Sequence, residues 1–158
     1  MSTKAQCRKN TKIDIKPGTI SISAGAFFGN TNLVGITIPC SVTSIGQDAF
    51  SGCSSLLEVV LEKGITKIDS YSFRDCTGLE SITIPSSVKS IGDSAFSGCS
   101  DLANITIPSS VESIGKDAFS GCSSLSEVVL EKGITKIDSY SFRDCTGLES
   151  ITIPSSVK

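Results

Sequence analysis

The residues of this 158-residue chain best equipped for chemistry are its seven cysteines. Thiolates act as nucleophiles, hold metals and pair as disulfides. Five of them, Cys53, Cys76, Cys99, Cys122 and Cys145, recur 23 residues apart. A zinc-type site needs closely spaced ligands, and the sequence has neither histidine nor a CxxC pair, so no metal is expected. A catalytic thiol needs exposure and a base beside it, and neither Cys7 nor Cys40 has an evident one. Lysines and serines are spread by the period. There is no histidine for general base work and no phosphate-cradling glycine motif. The chain therefore reads as non-enzymatic and without a cofactor. Five thiols in one column, about 4.8 Å apart, cannot all pair, so a reduced, buried ladder is expected. Cys7 and Cys40 are read as lying outside that column and exposed.

What positions the cysteines is a repeat. Units run Pro17–Pro39, Cys40–Glu62, Lys63–Pro85, Ser86–Pro108, Ser109–Glu131 and Lys132–Pro154, followed by a stub, Ser155–Lys158. Phe27, Phe50, Phe73, Phe96, Phe119 and Phe142 keep the same spacing, as do Leu33, Leu56, Leu79, Leu102, Leu125 and Leu148. A fixed period of this size means a solenoid in which each unit packs on its neighbours. Residues 40–89 match 109–158 without a gap, differing only at Cys40/Ser109, Thr43/Glu112, Gln47/Lys116 and Leu57/Ser126. Natural duplication and deliberate idealisation both produce such a pattern.

Within a unit the apolar spacing changes. Leu102-x-x-Ile105-x-Ile107 ends in strict alternation of β-branched residues, the pattern of a short strand facing its isoleucines inward. Proline lacks an N–H, so Pro39, Pro85, Pro108 and Pro154 close that strand. Val88–Ile91 reads as a second short strand, and Gly92–Cys99 as a short helical or 3-10 turn ended by Gly98. Asp69, Asp75, Asp138 and Asp144 stand where other units carry glycine. Aspartate tolerates left-handed backbone, so they are read as turn residues.

Strand alternation sets candidate binding residues on the outward face. They are Thr37; Glu58, Val60 and Glu62; Ser81 and Thr83; Asn104 and Thr106; Glu127, Val129 and Glu131; and Ser150 and Thr152, with Gly35 and the closing prolines in the same rows. Val60 and Val129, each between glutamates, differ from their Ser/Thr-rich neighbours. Strand propensity and selection for a ligand both account for them. Tyr71 and Tyr140 read either as exposed aromatics for a partner or as partly packed ring edges.

Charge is uneven. Residues 1–16 hold five basic residues against Asp14, while the remainder is acidic. An acidic body argues against nucleic acid as partner. Residues 1–12 are expected to form a basic flexible lead-in and 13–158 a single solenoid. Within it, 13–39 is a degenerate N-terminal cap and 155–158 a truncated stub. No stretch approaches the ~20 apolar residues of a membrane span. The first residues have no apolar core of a secretory signal, which leaves a cytoplasmic protein or a fragment. Lys132–Pro154 repeats Lys63–Pro85 residue for residue, an interior unit rather than a cap. An unpaired edge strand at Ser150–Ile153 and a tail-to-tail homodimer through that end are therefore expected.

The Leu79-x-x-Ile82-x-Ile84 segment, the preceding SFRDCTGL or AFSGCSSL, and the following IPSSVKSIG resemble the BspA-type branch of leucine-rich repeat proteins over about residues 17–158. The common pattern has Asn or Cys three residues after LxxLxL. Here Ser87, Ser110, Gly64 or Gly133 stands there, so its hydrogen-bonding role must fall to serines or backbone. The resemblance implies a right-handed, curved leucine-rich-repeat coil with short parallel strands. It also implies a cell-surface or secreted protein that binds a protein ligand, such as a host or extracellular-matrix protein. The other reading is a structural or idealised solenoid without a dedicated ligand.

Overall fold

The computed structural model describes residues 10–158. Its coils are stacked by parallel ladders whose partners are one period apart. One column of strands comes from the LxxIxI segments: β1 (Thr11–Asp14), β3 (Leu33–Ile38), β5 (Glu58–Leu61), β7 (Ser81–Ile82), β9 (Asn104–Ile107) and β11 (Glu127–Leu130). A second column holds two-residue strands: β2 (Ser21–Ile22), β4 (Ser44–Ile45), β6 (Lys67–Ile68), β8 (Ser90–Ile91), β10 (Ser113–Ile114) and β12 (Lys136–Ile137). The second column is one unbroken six-stranded sheet. Strand β1 begins at Thr11, inside the segment read as a lead-in, and pairs with β3.

The first column is not continuous. It divides into β1-β3-β5-β7 and β9-β11. The cause is proline chemistry. Glu62 donates its N–H to Ile38 O and Glu131 donates to Ile107 O, closing those ladders. Pro85 and Pro108 stand at the same unit position in successive coils and have no N–H for Leu61 O or Ile84 O. Pairing of β5 with β7 accordingly stops at Ile82. The same deficit at Pro154 corrects the expected edge strand: residues 150–153 join no ladder.

Between the two columns the chain forms turns. Among the described residues there is no helix, which corrects the expected helical segment. Ala95 N donates to Gly92 O, Ser97 N to Ser94 O and Cys99 N to Phe96 O. These turns cannot propagate as a helix because Ser94 (φ 51°) and Gly98 (φ 76°) are left-handed. The N–H groups in between point along the axis. Ser94, Phe96 and Gly98 donate to Lys116, Ala118 and Ser120 of the next coil. This third ladder is directional, with every donor aimed toward the C-terminal end. A symmetric tail-to-tail pair, the form expected from the sequence, would set donor row against donor row along it.

Inside the coils the phenylalanines form one continuous stack from Phe27 to Phe142. Centroids are 5.1–5.4 Å apart and rings within 5° of parallel. Phe50, Phe73, Phe96 and Phe119 are fully buried, with the leucine and isoleucine columns around them. At the N-terminal unit Ile20 and Phe28 are exposed, and Phe27 is half-buried. In the last unit Phe142, Leu148 and Ile151 are half-buried and Ile153 is exposed.

Candidate functional site

The cysteine ladder is interior, with Cys53, Cys76, Cys99, Cys122 and Cys145 all free and buried. Their thiols are not inert fillers. Each donates to the carbonyl of the phenylalanine 26 residues earlier, at 3.1–3.2 Å: Cys53 to Phe27, Cys76 to Phe50, Cys99 to Phe73, Cys122 to Phe96 and Cys145 to Phe119. Burial pushes the Cys53 thiol up to about 11 and the Cys122 thiol up to about 12. Cys76, Cys99 and Cys145 are raised for the same reason. Such thiols stay protonated and unreactive at neutral pH. Cys40 is exposed, and Cys7 lies outside the described residues. Among the described residues no three side chains of metal-binding type are grouped together.

The serine column takes the hydrogen-bonding role only in part. Ser87 Oγ accepts from Gly64 N at 3.3 Å, whereas Ser41, Ser110 and Ser156 bury their hydroxyls without a partner. The turn aspartates also divide. Asp75 and Asp144 are left-handed, at φ 55° and 57°. Asp69 and Asp138 are not among the left-handed residues; they cap Ser70 N and Ser139 N and pair with Lys67 and Lys136. Tyr71 and Tyr140 are themselves left-handed, at φ 61° and 60°, a conformation bulky side chains rarely adopt. Arg74 and Arg143 lie over their rings, and Tyr140 is 59% exposed. Nothing in the residue type signals that backbone; the aspartates and serine at the same unit position, Asp48, Ser94 and Asp117, do.

The first strand column presents its outward rows to solvent. Glu58, Val60, Glu62, Ser81, Thr83, Asn104, Thr106, Glu127, Val129, Glu131, Ser150 and Thr152 are exposed, and Thr37 is half-buried. The flanking positions depart from the expected face. Pro85 and Gly35 are buried, and Pro39, Pro108 and Pro154 are half-buried. Gly35 is covered by the stem of Lys12, whose Cγ lies 3.3 Å from where a Cβ would stand. The Lys12 ammonium then reaches Glu58 at 2.9 Å. Two of the glutamates have structural work that the sequence reading missed. Glu62 Oε2 accepts from Cys40 N and Glu131 Oε2 from Ser109 N, at 2.9 and 2.8 Å. The signal was present: these glutamates replace proline at the unit's last position, one coil after a proline.

Where the sheet divides there is a cleft of about 290 Å³, lined by Ile82, Thr83, Ile84, Ser86, Asn104, Thr106, Pro108 and Glu131. Its walls are aliphatic and its rim carries hydroxyls, one amide and one carboxylate. A smaller hollow of about 140 Å³ on the same face is lined by Lys12, Gly35, Thr37, Glu58 and Val60 among others.

The family model for the BspA type leucine rich repeat region matches six copies, over residues 4–99 and 66–158. The chain belongs to the BspA-type leucine-rich repeat family. Such repeat arrays are generally protein-interaction or surface scaffolds, and the repeat is a non-catalytic type. The match begins at residue 4, and Cys7 stands two periods before Cys53, so in sequence it shares the ladder's register.

Solved structures carry the same fold. A leucine-rich repeat protein of T. pallidum is 27% identical at a TM-score of 0.74, with 89% of this chain and 78% of that one covered. One from Bacteroides ovatus is 31% identical at 0.77, covering 92% and 46%. A leucine rich cell surface protein from Faecalibacterium prausnitzii is 36% identical at 0.75, covering 78% and 32%. The chain thus spans less than half the length of the latter two. No curated protein matches the sequence.

Proposed function

We propose that this BspA-type array is a cell-surface module that binds a protein ligand, of host or extracellular-matrix type, on the outward face of its first strand column. The observation that carries this reading is the pair Val60 and Val129. They are 41% and 42% exposed on the outward strand face, each beside glutamates, at equivalent places in the two duplicated blocks. Exposed apolar side chains ringed by polar ones are the usual centre of a protein contact. The cleft beside Asn104 and Thr106 adds a concave element to this face. The surface placement is supported by the Faecalibacterium relative, which is a cell surface protein.

The test is an array of immobilised extracellular-matrix and host surface proteins, probed with the chain and with a Val60→Lys/Val129→Lys double variant. A specific binder lost in the variant, with unchanged circular dichroism, is the expected result. A binder that engages the variant normally would reject this face. A spacer solenoid without a dedicated ligand would give no specific binder.

A further inference from the structure

The two duplicated blocks carry the same glutamates but differ in what stands beside them. Leading into the first block, an outward row runs Lys12, Gly35, Glu58 across successive coils, in register. Gly35 has no side chain, so the Lys12 stem lies across it and the ammonium pairs with Glu58. The corresponding row leading into the second block is Ser81, Asn104, Glu127. Asn104 faces Glu127 in register, and no lysine stands in the row. Glu58 of the first block is therefore met by a basic side chain from the coils before it, and the row of Glu127 in the second holds none.

Beside that open row lies the cleft produced by the two successive prolines. No cation is among its lining residues. Glu131 is held at its rim by Ser109 N, and carboxylate, hydroxyl and amide oxygens are the polar groups it offers. Ile82, Ile84 and Pro108 form apolar walls. An aliphatic stem ending in a charged donor suits such a place: the stem packs on the walls and the head passes Asn104 to reach the Glu127 carboxylate.

We propose that Glu127, with Asn104 beside it and the adjoining cleft, forms a receptor for a basic side chain, Lys or Arg, presented by an extended segment of the protein partner. The counterpart glutamate of the first block, Glu58, is paired internally with Lys12. This rests on the outward-face reading above and gives the partner its chemistry. The site is an electrostatic clamp on an acidic face, so its occupancy falls as salt rises.

The probe is a fluorescein-labelled pentalysine peptide, titrated by anisotropy at low ionic strength, with norleucine and glutamate pentapeptides as counterparts. Saturable binding of the lysine peptide alone, at one per chain, is expected. Asn104→Lys sets a lysine beside Glu127 and should weaken binding by up to about fivefold, as should Glu127→Gln, with the fold retained by circular dichroism. Lys12→Ser frees Glu58 but supplies no cleft, so the stoichiometry should stay at one. No saturable binding, equal binding of the glutamate peptide, indifference to Asn104→Lys, or a stoichiometry of two in Lys12→Ser would each overturn the proposal. A matrix protein released by Val60→Lys/Val129→Lys yet indifferent to Asn104→Lys would overturn this inference and leave the scaffold reading standing.

Discussion

Removing one ring from the phenylalanine stack tests the fold most directly. Phe96 is fully buried, between Phe73 and Phe119 at 5.3 Å on each side. Its backbone carbonyl also accepts the Cys122 thiol, an arrangement that requires neighbouring coils to keep their spacing. Phe96→Ala leaves a cavity that the coils cannot close, because both faces are pinned by inter-coil hydrogen bonds, Phe73 N to Ala95 O and Asp75 N to Ser97 O on one side and Phe96 N to Ala118 O and Gly98 N to Ser120 O on the other. Truncating a buried aromatic costs about 3–5 kcal/mol. With a urea m-value of about 2 kcal/mol/M, the midpoint should fall by about 1.5–2.5 M. Thr83→Ala on the exposed row should move stability by less than about 0.5 kcal/mol. Urea titrations followed by circular dichroism and by thiol accessibility of Cys99 check both, since separate transitions would reveal local unfolding of part of the array. Equal midpoint shifts for the two variants would refute the inside/outside assignment.

Thiol labelling of the native protein should reach Cys40 and spare the five ladder cysteines, which react only on unfolding; rapid native labelling of Cys99 by a small maleimide would contradict the buried ladder. Stability should fall as pH rises above about 9: the folded thiols of Cys53 and Cys122 titrate only near about 11 and about 12, while the unfolded thiols ionise first and draw the equilibrium. The loss should begin at the unfolded value and continue up to those folded values, and a denaturation midpoint flat from pH 8 to 11 would contradict it. Gly64→Ala should destabilise by more than about 2 kcal/mol, because its Cβ would run into the Cys40 carbonyl, whereas Gly29→Ala, left-handed but with open space around it, should cost about 1 kcal/mol. Calorimetry of the two variants separates backbone collision from backbone strain, and reversal of that order would count against the close coil-to-coil approach at Gly64.

Local chemistry made much of this protein legible before any coordinates. The 23-residue period dictates a stack, and side-chain alternation in LxxIxI dictates which isoleucines face inward, because strand pleating is a property of the segment itself. The buried phenylalanine, leucine and cysteine columns follow from burial of apolar residues repeated in register. What the sequence could not deliver depends on contacts 22, 23 or 26 residues away, across the coil axis. The thiols' choice of a phenylalanine carbonyl is one example, and the capping of Cys40 and Ser109 by glutamates from the next coil is another. Left-handed tyrosines are a third: axial hydrogen bonds from Tyr71 N to Asp93 O and from Phe73 N to Ala95 O fix a backbone that tyrosine alone would avoid. The open face of the second block is a fourth. Lys12 and Glu58 are 46 residues apart, and only stacking of three coils with a glycine between them brings that charge pair together, while the same stacking sets Asn104 beside Glu127.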